Sequence, residues 1–364
     1  MFNTVVIVGV GLIGGSLGLA LRRKYPDIRV IGVSSDAALE SALKLGAVTD
    51  GYGYDDLGTA VRDADLIVLC TPIFRIQELI TLIKPHLREN VVVTDVGSTK
   101  RNITHHAARV LPEGVHFIGG HPMTGSEKRG IGATDPFLFQ NAIYVLCPNK
   151  GVPEGVTGSL SAFLEGIGAT ILIMDAGLHD HIAAAISHLP QLLAVTLVEM
   201  AGELNSDDAP YLSLAAGGFR DMTRIASSPF AMWDDIYRTN EDIVKETVDM
   251  FIKHLLKIKD RIGVRAIEED FEAANITRAN IPKDTKGFMK TLFEVLVVVE
   301  DKPGSIAKIA GALAKGNINI KDIEVMKVRE GEGGTIRLAF ENDDDAGRAI
   351  ETLSSIGYAA RMRG

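Results

Sequence analysis

Short apolar runs alternate with stretches of helical period through the first half of the chain. Residues 2–9 (FNTVVIVG) form a β-branched run ending in glycine, and GLIGGSLGLALRR follows with helical spacing. VIGV (30–33), ADLIVLCTP (64–72), NVVVTDVGS (90–98), HFIGG (116–120) and AIYVLC (142–147) repeat the strand pattern. These runs are continuously apolar rather than alternating, which marks strands buried on both faces. Strands separated by helical segments predict a parallel sheet wound with helices on both sides, an α/β fold of the Rossmann type. From Ala176 to about Asp270 the strand signal nearly vanishes. LHDHIAAAISHLPQLLAVTLVEMAGEL (178–204) and DIVKETVDMFIKHLLKIKDRI (242–262) read as long helices, with a mixed, functional-group-rich stretch (211–240) between them. Large apolar helix faces often meet a second copy, so a homodimer is expected here. NITRANIPKDTKG (275–287) reads as a linker. Beyond it the order strand, helix, strand, strand, helix, strand predicts a ferredoxin-like βαββαβ sandwich. The expected domains are 1–174 (dinucleotide-binding), 175–280 (helical, substrate-binding and dimerising) and 288–364 (regulatory).

One turn carries chemistry in this pattern. In VVIVGVGLIGGSLG (5–18), Gly9, Gly11 and Gly14 fit G-x-G-x-x-G directly after a strand and opening a helix. The first glycine permits the tight turn, the second admits a pyrophosphate to the backbone, and the third lets helix and strand pack closely. Leu12 and Ile13 within the turn, and Thr71 and Pro72 at the end of a neighbouring strand, join the candidate cofactor set. The acid expected about 20 residues on, to hold the ribose 2′-hydroxyl, is replaced by Ser34; the nearest acid is Asp36. No arginine follows at Ser35 to hold a 2′-phosphate. NAD and NADP both remain open.

Composition narrows the class. A chain of 364 residues, 46% hydrophobic, suggests two or three domains with sizeable cores. A formal charge of −9 does not suit phosphate-backbone binding, so no nucleic-acid partner is expected. Cys70 and Cys147 each sit in an apolar run, which suits small buried hydrophobes rather than a disulfide framework or a metal site. The first apolar stretch lacks a basic leader and is broken by glycines. No apolar run looks long enough to span a bilayer, and the expectation is a soluble cytoplasmic protein.

GGHPMTGSEKRG (119–130) crowds a histidine, two hydroxyls, an acid and two bases between glycines. With VGVGLIGGSLGLAL, DADLIVLCTP, TDVGSTK, AISHLPQ and GGFRDMTRIASSPFAMW in this order, the chain resembles the prephenate dehydrogenase family, related to arogenate dehydrogenases. DKPGSIAKIAGALAKGNINIKDI (301–323) resembles an ACT domain, a module that often binds amino acids. The resemblance covers nearly the whole chain. The HPMTGSEKRG and GGFRDMTR segments are specific to this family; the glycine turn is not.

The resemblance implies oxidative decarboxylation of prephenate to 4-hydroxyphenylpyruvate, with hydride passing to NAD or NADP and no metal required. It makes His121 the base for the ring hydroxyl, a role that suits neutral imidazole. It makes Ser98 a second catalytic group, bonding the substrate hydroxyl and orienting the base, although Ser98 also suits a helix N-cap. Arg224 would hold the ring carboxylate with its planar fork. Ser126, Glu127, His188 and Trp233 match family substrate positions, Trp233 also suiting plain packing. Gln191 stands where some relatives have a second histidine. A neutral donor there suits the keto side chain of prephenate over the ammonium of arogenate. In the last domain Asp301, Pro303 and Gly304 and, further on, Asn317 and Ile318 are the candidate effector residues. In ACT domains those two regions lie near each other, and tyrosine is the sensible effector. A competing reading is a catalytically silent amino-acid sensor. Another is a β-hydroxyacid dehydrogenase, whose helical domain would supply a catalytic lysine; this chain offers HPMTGSEKRG and TRIA instead. His105–His106 and His179–His181 look bland, since neither pair shares a helical face.

Overall fold

The computed structural model describes residues 2–125, 130–263, 265–281, 292–300, 302–326 and 334–363. It divides into two compact units, Met1–Ile267 and Glu268–Gly364.

The first unit begins with β1 (Thr4–Val8), α1 (Leu12–Lys24), β2 (Arg29–Val33), α2 (Asp36–Leu45), β3 (Asp50–Tyr52), α3 (Leu57–Val61) and β4 (Leu66–Leu69). It continues through α4 (Ile73–Ile83), β5 (Val92–Asp95), α5 (Arg101–Val110), β6 (His116–Pro122), β7 (Ile143–Pro148), α6 (Glu154–Glu165) and β8 (Thr170–Ile173). The eight strands lie in the order β3-β2-β1-β4-β5-β6-β7-β8. β1 shows why its sequence does not alternate. Val5 and Ile7 enter one buried cluster and Val6 and Val8 the other, so both faces are dry. The order reverses between β1 and β4, and in such sheets ligands bind at that switch point.

The sheet departs from an all-parallel arrangement at one place. β7 pairs antiparallel with β6, and β8 then runs parallel to β7. A parallel crossover needs a covering helix. Among the described residues the β6–β7 connection holds only a short turn of 3₁₀ helix at Ile131–Ala133.

The helical part follows as α7 (Ala176–Ala183), α8 (Leu189–Leu204), α9 (Gly217–Thr223), α10 (Phe230–Thr239) and α11 (Glu241–Arg261). α7 and α8 form one rod through a widened π turn at Ala184–His188, where the Leu189 amide reaches back to the Ala184 carbonyl. Pro190 has no amide to offer the regular ladder, and such widened turns often accompany functional positions. Contrary to the sequence expectation, this 29-residue helix, with a mean hydropathy of 1.5 over its most apolar window, is long and apolar enough to cross a membrane by length and composition. It nevertheless buries His179, Asp180, His188 and Gln191, an unlikely set for lipid. α10 docks on the part built around the eight-stranded sheet. Trp233 and Ile236 join the core on one face of the sheet, Asp235 accepts the Phe74 amide at 3.4 Å, and Arg238 lies 4.6 Å over the Phe74 ring.

The second unit holds α12 (Glu268–Ala279), β9 (Phe293–Val299), α13 (Ser305–Lys315), β10 (Asp322–Val325), β11 (Gly334–Phe340), α14 (Asp343–Ser355) and β12 (Ala360–Met362). The first residues of the expected linker belong to α12. Glu268, Glu269 and Asp270 in its first turn and Arg278 in its last complement the helix dipole. The sheet order β10-β11-β9-β12, all antiparallel, is the ferredoxin-like arrangement. On it Arg337, nearly buried, pairs with Glu294 (2.9 Å), Asp322 (2.6 Å) and Glu324 (2.8 Å), which spreads the desolvation of one guanidinium over three carboxylates.

Gly9 is the residue on which the chain turns from β1 into α1. Its φ is +97°, and a Cβ there would stand 2.5 Å from the Cys70 carbonyl oxygen on the neighbouring strand. Gly9→Ala should cost ~3 kcal/mol from left-handed strain and backbone overlap. Denaturant unfolding of the full chain checks this.

Candidate active site

The carboxyl-end edge of β1, β4, β5 and β6 gathers most of the expected residues. Gly11 opens α1 with no side-chain cap, and a Cβ on it would meet nothing within 4 Å, whereas a Cβ on Gly14 would collide with the Gly9 carbonyl. The open face and the uncapped amides of the first turn, which includes Leu12 and Ile13, suit an approaching pyrophosphate. Thr71, just past β4, buries a hydroxyl with no partner, and Pro72 precedes the first turn of α4. Ser34 is buried past β2, its amide on the Tyr52 carbonyl at 3.2 Å, and Asp36 is exposed in the first turn of α2. These features fit a bound dinucleotide.

The loop between β5 and α5 is held by an ion pair with no exposed surface. Lys100 Nζ meets Asp95, whose carboxylate also accepts the Gly97 amide at 2.8 Å and the Gly120 amide at 3.1 Å. A buried lysine is tolerable only when so paired. Asp95 thereby ties the loop carrying Ser98 to β6, which carries His121. Ser98 is half-buried and does not cap α5; Lys100 occupies the cap position.

His121 is half-buried near the end of β6. Its Nδ1 lies 2.8 Å from His179 Nε2, and His179 Nδ1 lies 2.7 Å from Asp180 Oδ1. Asp180 in turn accepts the backbone amides of Lys100 (2.7 Å) and Arg101 (2.9 Å) at the start of α5. Sequence reading missed His179, Asp180, Lys100 and Asp95. Their signal was the adjacent His-Asp pair in an otherwise apolar helix, but the partner of that pair lies 58 residues away. Burial, with the nearby His179, Lys100 and His188, holds the His121 imidazole well below its ordinary range. Burial likewise pushes His188 down to about 4, opposed by Asp180.

His188 and Gln191 share the buried face of the rod, three residues apart. His188 Nδ1 lies 3.4 Å from the Asn240 side chain, and its ring meets Trp233 edge-on at 6.2 Å between centres. Gln191 donates its amide nitrogen to the Ile225 carbonyl at 3.1 Å and keeps a buried, unpartnered Oε1. The adjacent turn thus takes one of the two N–H groups of Gln191, and a second N–H remains beside the unpartnered oxygen. That turn is Arg224–Ser227, which puts Arg224 on an exposed corner packed on α8. Trp233 stacks on Tyr237 and packs on the sheet core, with its indole N–H buried and unpartnered. Ser126 and Glu127 lie outside the described residues.

In the second unit, Pro303 and Gly304 (φ +92°) precede α13, while Asn317 (φ +53°) follows it. The 11-residue helix between them spans ~16 Å, so one copy does not bring the two regions together as expected. Ile318 is 4% exposed within the domain core, so its side chain is structural. Asp301 lies outside the described residues.

A Rossmann-type sheet with an open glycine turn, and a buried imidazole cluster at the same edge, define a dinucleotide-dependent oxidoreductase. Three family models match in succession: the prephenate dehydrogenase nucleotide-binding domain over residues 17–173, its dimerization domain over 175–274, and the ACT domain over 293–357. The prephenate dehydrogenase of Bacillus subtilis is 35% identical over 98% of this chain and 96% of its own. That of Lactococcus lactis is 33% identical over 96% and 97%. Among solved structures, prephenate dehydrogenase of Aquifex aeolicus in complex with hydroxyphenyl propionate and NAD+ superposes with a TM-score of 0.72 at 28% identity, covering 77% of this chain and 99% of that one. The chain belongs to the prephenate dehydrogenase family, with an NAD-binding Rossmann domain, the family's helical dimerization domain and a C-terminal ACT domain.

Two outcomes follow from the buried polar groups. Lys100→Met leaves Asp95 buried without its cation and should cost ~3–5 kcal/mol, read by denaturant unfolding. His188 resists protonation in the folded chain while the unfolded chain binds protons below its ordinary pKa of 6.5. Stability should therefore fall as pH drops from 6.5 to about 4. This one group should contribute ~1.4 kcal/mol per pH unit inside that window, checked by unfolding midpoints across it.

Proposed function

We propose that this chain oxidises prephenate to 4-hydroxyphenylpyruvate and carbon dioxide, reducing NAD or NADP, as a step of tyrosine formation. The observation that carries this reading is the place of His121 at the dinucleotide edge, its Nδ1 engaged by His179 at 2.8 Å and its Nε2 left for a substrate proton, with burial favouring the neutral ring. Bound NAD(P)+ supplies the hydride acceptor. His121 takes the ring hydroxyl proton as the hydride leaves the same carbon, a role typically worth 10²–10⁴-fold. Ser98, on the loop that Asp95 ties to β6, bonds the same hydroxyl. Arg224 holds the ring carboxylate until it departs as carbon dioxide, and the ring becomes aromatic. Ser126, Glu127, His188 and Trp233 complete the substrate surroundings in this reading.

Prephenate is preferred to arogenate on two grounds. The full-length relatives are named for prephenate, and Gln191 is neutral with a second N–H for a keto oxygen, where an ammonium calls for a carboxylate. The Synechocystis arogenate dehydrogenase, 30% identical with a TM-score of 0.69, keeps the amino substrate as the second reading.

The working form in this reading is a homodimer through the helical domain. Exposed Ile186, Val198 and Met200 on the rod and Met250, Leu255 and Leu256 on α11 support it. Tyrosine acts as feedback effector at the ACT domain, in a site taking the Pro303–Gly304 turn from one copy and the Asn317 turn from another. A reducing cytoplasmic setting accords with two free cysteines, Cys147 buried deeply enough to push its thiol up to about 12.

Reduced-nicotinamide formation by the purified protein tests the reading, with prephenate and arogenate, NAD and NADP, with and without tyrosine. Prephenate turnover weakened by tyrosine is the expected result, and His121→Asn should lower kcat by about 10²–10⁴ while substrate still binds. No turnover of either substrate by folded protein that binds the dinucleotide would favour a sensor instead.

A further inference from the structure

Two hydrogen bonds in series determine which nitrogen of His121 carries its proton. Asp180 is a carboxylate and can only accept: its Oδ1 and Oδ2 already take the amides of Lys100 and Arg101. Its contact to His179 Nδ1 at 2.7 Å therefore requires a proton on that nitrogen. With that proton as the only one on its ring, His179 has its lone pair on Nε2, and the 2.8 Å contact to His121 Nδ1 then requires the proton to lie on His121. His121 is left with a lone pair on Nε2.

We propose that Asp180 and His179 are positioning residues that lock His121 as the Nδ1–H tautomer, aiming a free Nε2 at the substrate hydroxyl. The proposal rests on the reading of His121 as the base. When Nε2 takes the substrate proton, His121 becomes the imidazolium. Its Nδ1–H stays on His179, and the Asp180 negative charge lies two hydrogen bonds behind it. No proton leaves the chain of residues in that step, and no further reactant is needed. The device has the logic of a carboxylate orienting a catalytic imidazole, with a second imidazole inserted between them. Its anchor is independent of any ligand, because the backbone at the start of α5 fixes the carboxylate. The Asn240 side chain also donates to the Asp180 carbonyl at 2.9 Å, holding this turn of α7 in place.

The test uses the full-length protein labelled with ¹⁵N on histidine, without substrate, near pH 7.5. Ring nitrogen shifts and couplings assign the tautomers of His121 and His179 directly. The expected result is Nδ1–H on both. His179→Phe removes the acceptor while leaving Asp180 with both backbone amides. His121 should then populate both tautomers, and kcat should fall by roughly 10²-fold with the KM for the dinucleotide unchanged. His179→Gln puts an acceptor oxygen at the same reach and should restore the tautomer and most of kcat, which a merely space-filling His179 would not explain. If His179→Phe fails to fold, the wild-type tautomer and the Gln variant decide the matter. Wild-type His121 protonated on Nε2, or full kcat in a folded His179→Phe, overturns the proposal. A wild-type Nδ1–H tautomer in a protein that turns over neither substrate leaves the lock standing and removes the reaction assigned to it.

Discussion

The site depends on the rule that a charge removed from water must be answered in place. Lys100 has no exposed surface, and Asp95 beneath it has none either. Their pairing costs desolvation that Coulomb attraction and two further amide bonds must offset. Its yield is geometric. Asp95 reaches Gly97 in its own loop and Gly120 on the next strand, so the segment holding Ser98 and the strand holding His121 cannot drift apart. Asp180 continues the logic from the helical side, capping the start of α5 with both oxygens. Thr99 with Thr239 (2.7 Å) and Asn102 with the Thr239 carbonyl (2.9 Å) close the same seam. Nucleotide-binding and helical parts are thereby joined by polar contacts at the place where chemistry would occur, while apolar packing of Trp233 and Ile236 secures them further out.

Much of this was legible in the chain because it is local. Gly9, Gly11 and Gly14 announce their turn through spacing alone, and the continuous apolar strands announce a doubly covered sheet. The βαββαβ order of the last domain was readable for the same reason. His121 stood out because its neighbours are too polar for a core strand. His179 did not, because a histidine one residue from an aspartate inside an apolar helix has no local reason to matter. Its meaning comes from β6, and only the fold brings β6 there.

Other residues shifted role for nonlocal reasons as well. Gln191 looked like a substrate donor alone, and the Ile225 carbonyl, on a turn 34 residues away, gives one of its two N–H groups a second task. Ile318 looked like an effector residue by position, but hydrophobic burial assigned it to the core. The reversal at β7 goes with a connection that, among the described residues, holds only a short 3₁₀ turn, a feature that strand patterns do not display. Residues 275–279 looked like linker from Pro282 and Gly287 beyond them, yet the acidic first turn of α12 carried the helix through.

The widened turn at Ala184–His188 makes the length of the rod a discrete quantity. One extra residue is accommodated there, so the helix before it and the helix after it are offset by about 100° relative to an unbroken α-helix. His179 and Asp180 are phased by the first segment, and Gln191 by the second. Straightening the turn into a regular ladder without removing a residue would swing one set away from the site, whereas removing one residue along with it would keep both sets in phase. The rod can therefore carry one residue more than a regular helix between Asp180 and Gln191 only because the widened turn absorbs it, and a further residue that the turn could not absorb would turn one set outward.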